Sequence, residues 1–566
     1  MIDKKYDIIT MTRNRKISLP LCNKNFNQKR TAIVHGPFFV EKNMLGKGRN
    51  VIFTSYKEIT AENVISVVTD AMQLYRENAD DCQYLLDYAA GDQPIQRKEE
   101  KKYMEWVDCR AVDNVALEIC DFWRGFGWGN PITLVQRGDV KDPDIKANGI
   151  AELNYCYSAT GNERDLQALA DFIVKCGHAY TLSDINTEYE DGDSYFTRDV
   201  VDPRWAFVVR SKAYSDNRVV LGVTLNIDKE DYFFTAYTKD SIYNIKATKA
   251  DKSDVKKVGK ESDYFHKHYI WEAMELFGAI NVLNRIPLVE WYWETSRTGV
   301  FENQISALNN INLLVSDISN GIEQNIQAFW WTNNVEFEKI VVKDADGNET
   351  EVVKKPKNGD FIHTRTTRDG VNPSIQPLVM DYNLDGMNRT YTEQRALVLQ
   401  KCHVPQRSET SGGSSGVAMD AAAGWADAES VASSREEIVK GCQLDELKVV
   451  LRAIKESPDI PADNPMLLLS ANDIQPAIRR PRNSDLASKT NSIATLLSHG
   501  FALEDCVANV PLFADATQVI QRSGEGVKKY QETIFNQAND AEAAPNADRI
   551  MQDSSDNATK SPMLNQ

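Results

Sequence analysis

The sequence predicts an α+β multidomain protein organised around one long helix, and three observations carry that reading. Between Phe301 and Phe329, Leu308, Ile311, Leu314, Ile318, Ile322, Ile326 and Phe329 step by three and four, the apolar stripe of an amphipathic helix. Between about Ala179 and Tyr243 the period changes. Ala206–Arg210, Val219–Ile227 and Tyr232–Tyr237 are rich in β-branched and aromatic residues with polar connections, the pattern of an antiparallel sheet. Third, the Gly/Ser loop Gln406–Gly416 leads into a proline-free run from Val417 to about Lys455, with seven alanines between Ala418 and Ala432. Alanine favours helix and adds little bulk, so such a helix approaches its neighbours closely.

The remaining elements follow in order. Residues 1–61 read as a loosely structured arm. From Glu62, Val64, Val67, Val68, Met72 and Tyr75 recur at helical spacing, and a second helical segment, Cys82–Tyr88, stops at Ala90-Gly91. Residues 110–128 and 161–176 are amphipathic helices, the first ending in Gly125–Pro131. Within 331–386, Phe337–Lys343 and Thr350–Lys354 flank Asp344–Asn348, a β-hairpin signal. A helix from about Met387 to His403 stops at Pro405. Residues 457–535 read as a further helical region, with Asn483/Ser484 as N-cap and Gly500 as stop, and the polar tail from Asn536 reads as disordered.

Composition bounds the function. A chain of 566 residues with 42% hydrophobic content has room for three or four domains. It has no apolar run of about 18 residues, so no membrane span is expected, and MIDKKYDIITMTRNRK does not read as a secretory signal. Nine dispersed cysteines without a CxxC predict free thiols in a reducing cytoplasm. The net charge of −17 is uneven: residues 1–50 hold eleven Lys/Arg against three acids, hence +8, and the other 516 carry −25. The basic arm is either a solvated tail or a grip on an acidic partner or nucleic acid. The acidic remainder argues against tight DNA wrapping, which needs many cations on phosphates.

No catalytic constellation emerges, and no cofactor or metal is expected. Asp344-Ala-Asp346-Gly347-Asn348 fails as a calcium loop, because positions six and twelve would be Glu349 and Lys355. Gly46-Lys47-Gly48-Arg49 lacks the full phosphate-loop spacing. His266 and His268 have no third ligand in view, the other histidines are scattered, and Cys402 and His403, one apart on a helix, point different ways.

Several short motifs then fall into a known order. Tyr88-Ala-Ala-Gly91-Asp-Gln-Pro-Ile95-Gln-Arg97, Gly129-Asn130-Pro131, Val201-Asp202-Pro203-Arg204, Asn284-Arg-Ile286-Pro287-Leu-Val-Glu290, Ser316-Asp317-Ile-Ser-Asn320-Gly-Ile-Glu323 and Ser415-Gly416-Val417-Ala418 together resemble the portal proteins of tailed bacteriophages, of the siphophage type. The likeness spans about 62–535. It departs from the family at Leu308-Asn-Asn-Ile-Asn312, where a carboxylate and an aromatic are lost, and after the long helix, where Glu436-Glu437 and Asp445-Glu446 mix with few cations.

The resemblance implies a portal fold: helical stem, antiparallel sheet in the wing, small α/β clip and helical crown. After the arm, 62–300 would be wing, 301–330 the first stem helix, 331–386 clip, 387–404 the second stem helix, 405–417 the tunnel loop, 418–456 a long wing helix, 457–535 crown and 536–566 tail. Leu308, Ile311, Leu314, Ile318, Ile322 and Ile326 would pack the stem. Arg407, Ser408, Thr410, Ser411, Gly412, Gly413 and Ser414 would line the DNA channel. It implies a dodecameric ring at one capsid vertex of the virion, assembled in the host cytoplasm. Double-stranded DNA would be packaged through it by the terminase large subunit, without sequence specificity, and later ejected. Head–tail adaptors, major capsid and scaffold proteins would be its other partners. The alternative is another structural or scaffold virion protein without a channel.

Overall fold

A computed structural model describes residues 47–97, 108–137, 143–228, 231–249, 268–274, 278–326, 329–333, 339–343, 349–353, 374–378, 383–406, 424–478, 480, 486–501, 506, 526 and 529. In chain order the elements are β1 (Ile52–Thr54), α1 (Val64–Ala90), α2 (Val115–Trp128), β2 (Thr133–Gln136), α3 (Pro143–Ala159), α4 (Asn162–Cys176), β3 (His178–Ile185), β4 (Phe196–Val201), β5 (Ala206–Ser211), β6 (Val219–Asp228), β7 (Asp231–Tyr237) and β8 (Ser241–Lys249). They continue with β9 (Tyr269–Ala273), β10 (Ala279–Ile280), β11 (Leu288–Tyr292), α5 (Ile305–Ile326), β12 (Phe329–Asn333), β13 (Lys339–Lys343), β14 (Glu349–Val353), β15 (Ser374–Leu378), α6 (Leu384–Lys401), α7 (Trp425–Glu456), β16 (Ile474–Ala477) and α8 (Leu486–Ser498).

The strands expected between Ala206 and Tyr237 form the centre of a seven-stranded sheet. Its order is β1-β5-β6-β7-β8-β10, with β9 also on β8; β1 runs parallel to β5 and the other pairs are antiparallel. Phe207, Val209, Leu221, Val223, Phe234, Ala236, Ile245 and Ala247 point to one face at period two. Val64, Val67, Val68, Ala71, Met72 and Tyr75 of α1 cover that face. The other face of β5, Ala206 and Val208, meets Tyr180 and Leu288 of the smaller sheet β11-β3-β4.

One expectation fails instructively in α1. The two helical segments are one continuous helix of 27 residues, about 40 Å long. Its first half packs on the large sheet, and its second half, through Leu85, Tyr88 and Ala89, packs into a different core. The polar stretch between them reads as a break but is a join. Asn78 Oδ1 accepts from the Asn50 amide at 2.8 Å, and Asn78 Nδ2 donates to the Asn50 carbonyl at 2.8 Å.

The second core is the larger. It gathers Trp123, Trp128, Trp291, Trp293, Leu153, Leu166, Leu169 and Ile173 with the inner face of α7. Both ends of the central excursion are rooted in it: Phe301, Ile305, Leu308 and Ile311 where the chain leaves, Val398, Leu399, Cys402 and Val404 where it returns. Residues 457–478 differ from the helical reading. Pro458, Pro461 and Pro465 forbid a continuing helix. The chain makes short 3₁₀ turns at Pro465–Leu468 and Ala471–Asp473, then pairs β16 antiparallel with β2. Met466, Leu469 and Ile474 are fully buried in this core.

Within the excursion, β13 and β14 form the expected hairpin and β12 pairs with β15, so Phe329 begins a strand and the long helix ends at Ile326. The eight cysteines described form no disulfide. Among the described residues no helix is long and apolar enough to cross a membrane.

Candidate assembly site at the stem helix

Helix α5 starts from a buried ionic root. Glu302, 1% exposed, accepts from Arg49 Nη2 and from the amides of Gly48 and Gly299. Gly48 has φ +66, and a Cβ there would stand 1.9 Å from the Ser296 carbonyl oxygen. Gly177, φ +83, closes α4, and its Cβ would stand 2.2 Å from the Arg297 carbonyl oxygen. The knuckle 296–299 is thus clamped between two backbones that only glycine lets approach. Arg297 itself is left-handed at φ +57. Its guanidinium reaches both oxygens of Glu290, lies 4.3 Å over the Tyr292 ring, and shares Glu290 with Arg210 at 2.8 Å.

This root titrates on the acid side. Burial pushes the Glu290 carboxyl up, but Arg297, then Arg210 and His178, outweigh it and bring it down to about 2. Burial lowers the His178 imidazole to about 3, against the opposing pull of Glu290 and with help from Arg49 and Arg297. Both groups bind protons at higher pH unfolded than folded, so stability rises with pH across their windows. The His178 contribution is complete above the ordinary 6.5 and is lost as pH falls from there toward 3. The Glu290 contribution is lost from 4.5 toward 2. Chemical denaturation at pH 7 and pH 5 is expected to differ by about 2 kcal/mol through His178. The variant His178→Gln should remove that difference; an unchanged difference would assign it elsewhere.

Below the root, α5 does something its sequence conceals. Asn312, Ser316 and Asn320 look like an exposed polar face, yet all three are buried. Asn312 Oδ1 accepts from the Asp113 amide at 2.9 Å, Ser316 Oγ from Ala111 at 3.0 Å and Asn320 Oδ1 from Cys109 at 2.7 Å. Four residues of helix rise about 6 Å, and two residues of extended chain advance about 6.6 Å. An i, i+4, i+8 row therefore meets alternate amides of the non-helical segment 108–113 in register. Asn312 Nδ2 also donates to Gln93, and Asn309 accepts from the Tyr88 hydroxyl at 2.9 Å.

With that face sealed, the apolar stripe divides. Leu308 and Ile311 are buried in the body, Leu314 and Ile318 are half-buried, and Ile322 is 44% exposed; the Ile326 side chain lies outside the described residues. Within the single chain the stripe is therefore buried only in part. Only the upper third is internal, because segment 108–113 covers the Asn/Ser face instead.

The return helix α6 packs beside α5. Asn383 caps it by accepting from the Gly386 amide at 2.9 Å, and Tyr391 donates to Asp113 at 2.9 Å. Trp123 Nε1 donates to the Cys402 carbonyl at 2.9 Å. Cys402 is buried and its thiol is pushed up to about 12 by burial, while His403, left-handed at φ +56, turns to Asp427 with Nδ1 2.6 Å from Oδ2. They form no thiol–imidazole pair. Asp427 is in the first turn of α7, so His403 and Asp427 tie together the two ends of loop 407–423. That loop, including Arg407, Ser408, Thr410, Ser411, Gly412, Gly413 and Ser414, lies outside the described residues.

Helix α7 is held to the body by two polar locks. Glu446, fully buried, accepts from Arg198 Nε at 2.8 Å, Thr181 Oγ1 at 2.7 Å and the Tyr157 hydroxyl at 3.3 Å. Arg435 lies 4.6 Å from the Trp123 ring and 4.5 Å from the Trp293 ring while pairing with Glu294. Sequence reasoning missed these residues and the Asn312–Ser316–Asn320 row. The one available signal was their i, i+4, i+8 spacing. Among the described residues no group of three His, Cys, Asp or Glu is placed to hold a metal.

These features describe a body from which the chain leaves along α5 and to which it returns along α6. No curated protein matches the chain. A family model described as phage portal protein, SPP1 Gp6-like, matches residues 73–532, which takes in α5, α6 and the hairpin between them. The chain belongs to that family of phage portal proteins, whose members are structural virion components rather than catalysts.

Proposed function

We propose that copies of this chain close into a dodecameric ring at one capsid vertex, and that the stem helices α5 and α6 surround a bore through which double-stranded DNA enters and leaves. The observation that carries this reading is the half-buried and exposed apolar set Leu314, Ile318 and Ile322 on a helix whose other face is already sealed within its own chain. A neighbouring subunit covers it in a heterologous contact that closes on itself. Between Thr298 and Glu338 there is no lysine or arginine, and Asp317 is exposed. The α5 part of the wall has no cation, and on α6 Arg389 and Arg395 are already paired with Glu393 and Glu118, so phosphate finds little to hold and the duplex stays hydrated and slides. The loop 405–417 follows the duplex, and residues 331–386 dock the terminase large subunit and later the head–tail adaptors. Capsid and scaffold proteins surround the ring.

Electron microscopy and mass photometry of the purified full chain test this. Rings with a central hole are expected. Ile318→Asp, which buries a carboxylate at each interface for several kcal/mol, should shift the protein to monomer while its circular dichroism is unchanged. A parent chain that stays monomeric at all concentrations and salts, or an Ile318→Asp variant that forms normal rings, overturns the reading.

A further inference from the structure

The sequence reads as poor in cations after the long helix, but the fold concentrates those present. Lys448, Arg452 and Lys455 recur at i, i+4 and i+7, which places them along one face of α7. Arg285, from the loop before β11, joins them across an open groove of about 490 Å³. The groove includes Leu451 and Leu469, and no acid is among its lining residues. Asp445 and Glu456 pair with Lys448 and Arg452 from outside it, at 2.7 and 3.1 Å. Those pairs are solvent-exposed, worth about 0–1 kcal/mol, and readily exchanged for a phosphate. Lys455 Nζ donates to the Leu469 carbonyl at 3.1 Å, which fixes one ammonium at the groove edge.

In a chain of net charge −17 this concentration of like charge stands out. Its spacing is linear. Seven residues of helix rise about 10.5 Å, the axial length of about three phosphates on one strand of a duplex. A compact anion would engage one or two of the cations; a duplex backbone engages the whole row. We propose that this groove on the body is a docking site for the phosphate backbone of double-stranded DNA, separate from the stem and independent of ring formation.

Lysine footprinting on the full chain tests it, with a 20-bp duplex of arbitrary sequence as probe. Acylation of Lys448 and Lys455 is expected to fall at least threefold when the duplex is added. Poly-glutamate of equal charge, and inorganic phosphate at equal phosphate concentration, should leave it unchanged. The variant Arg285→Ser/Arg452→Ser, altered only at solvent-accessible positions, should lose the protection of both lysines, while the exposed Lys57 and Lys239 serve as an internal reference. Unprotected Lys448 and Lys455 at saturating duplex overturn the proposal. Equal protection by poly-glutamate overturns it in favour of an acidic protein partner, and equal protection by phosphate in favour of a small-anion site. None of these outcomes depends on whether the chain forms rings, so failure here and failure of the ring reading are told apart.

Discussion

Glu302→Ala is expected to lower the unfolding free energy by about 3–5 kcal/mol, the usual cost of stranding one member of a buried ion pair. The substitution leaves the Arg49 guanidinium, whose side chain is 1% exposed, opposite Asp81 alone at 3.8 Å. It also removes the acceptor of two backbone amides, Gly48 and Gly299. The double variant Arg49→Met/Glu302→Leu should be less damaged than Glu302→Ala, because no charge is then left uncompensated. Guanidinium denaturation of the three proteins measures this. A double variant no more stable than Glu302→Ala would mean that the backbone contacts, not the charges, dominate the root.

The second large effect belongs to the polar row on the stem. Asn312→Ala/Ser316→Ala/Asn320→Ala strips three half-buried amides of their acceptors, at about 1 kcal/mol each. The expected result is a local failure. Segment 108–113 should detach from α5, and amide exchange at Cys109, Ala111 and Asp113 should accelerate by at least a hundredfold, whereas exchange in β6 and β7 should hold. Ring assembly should weaken as well, since the detached segment leaves a second face of α5 open. Unchanged exchange at those three amides would show that something other than the side-chain row holds the segment.

Asn78 and the polar row on α5 also show where sequence reading reached its limit. Periodicity found the sheet strands, the stem helix and the hairpin, because each buries an apolar face in its own chain and the period states which face. It split α1 at Arg76–Asp81 and turned Asn312, Ser316 and Asn320 outward, because hydropathy treats a polar residue as a surface residue. In both places the side chain replaces water for another segment's backbone, Asn50 in one and Cys109–Asp113 in the other. That need arises only once the two segments meet, so no local pattern encodes it. The basic groove was hidden for a related reason. Lys448, Arg452 and Lys455 are visible on one helix, but Arg285 lies 163 positions before Lys448. The family motifs contained nothing about Glu302, Glu446 or the His403–Asp427 tie.

The pairing of β16 with β2 has a bearing on how the molecule is made. Strand β2 leaves the ribosome early and waits for a partner more than three hundred residues downstream. At roughly 5–20 residues per second, that interval lasts about 15 to 70 seconds. Until then Trp128, Leu153 and Ile150 lack the lid that Met466, Leu469 and Ile474 supply. The nascent polypeptide therefore carries α5, α6 and the hairpin outside the tunnel while its body is still ajar. Vectorial synthesis thereby postpones closure of the body until β16 has emerged.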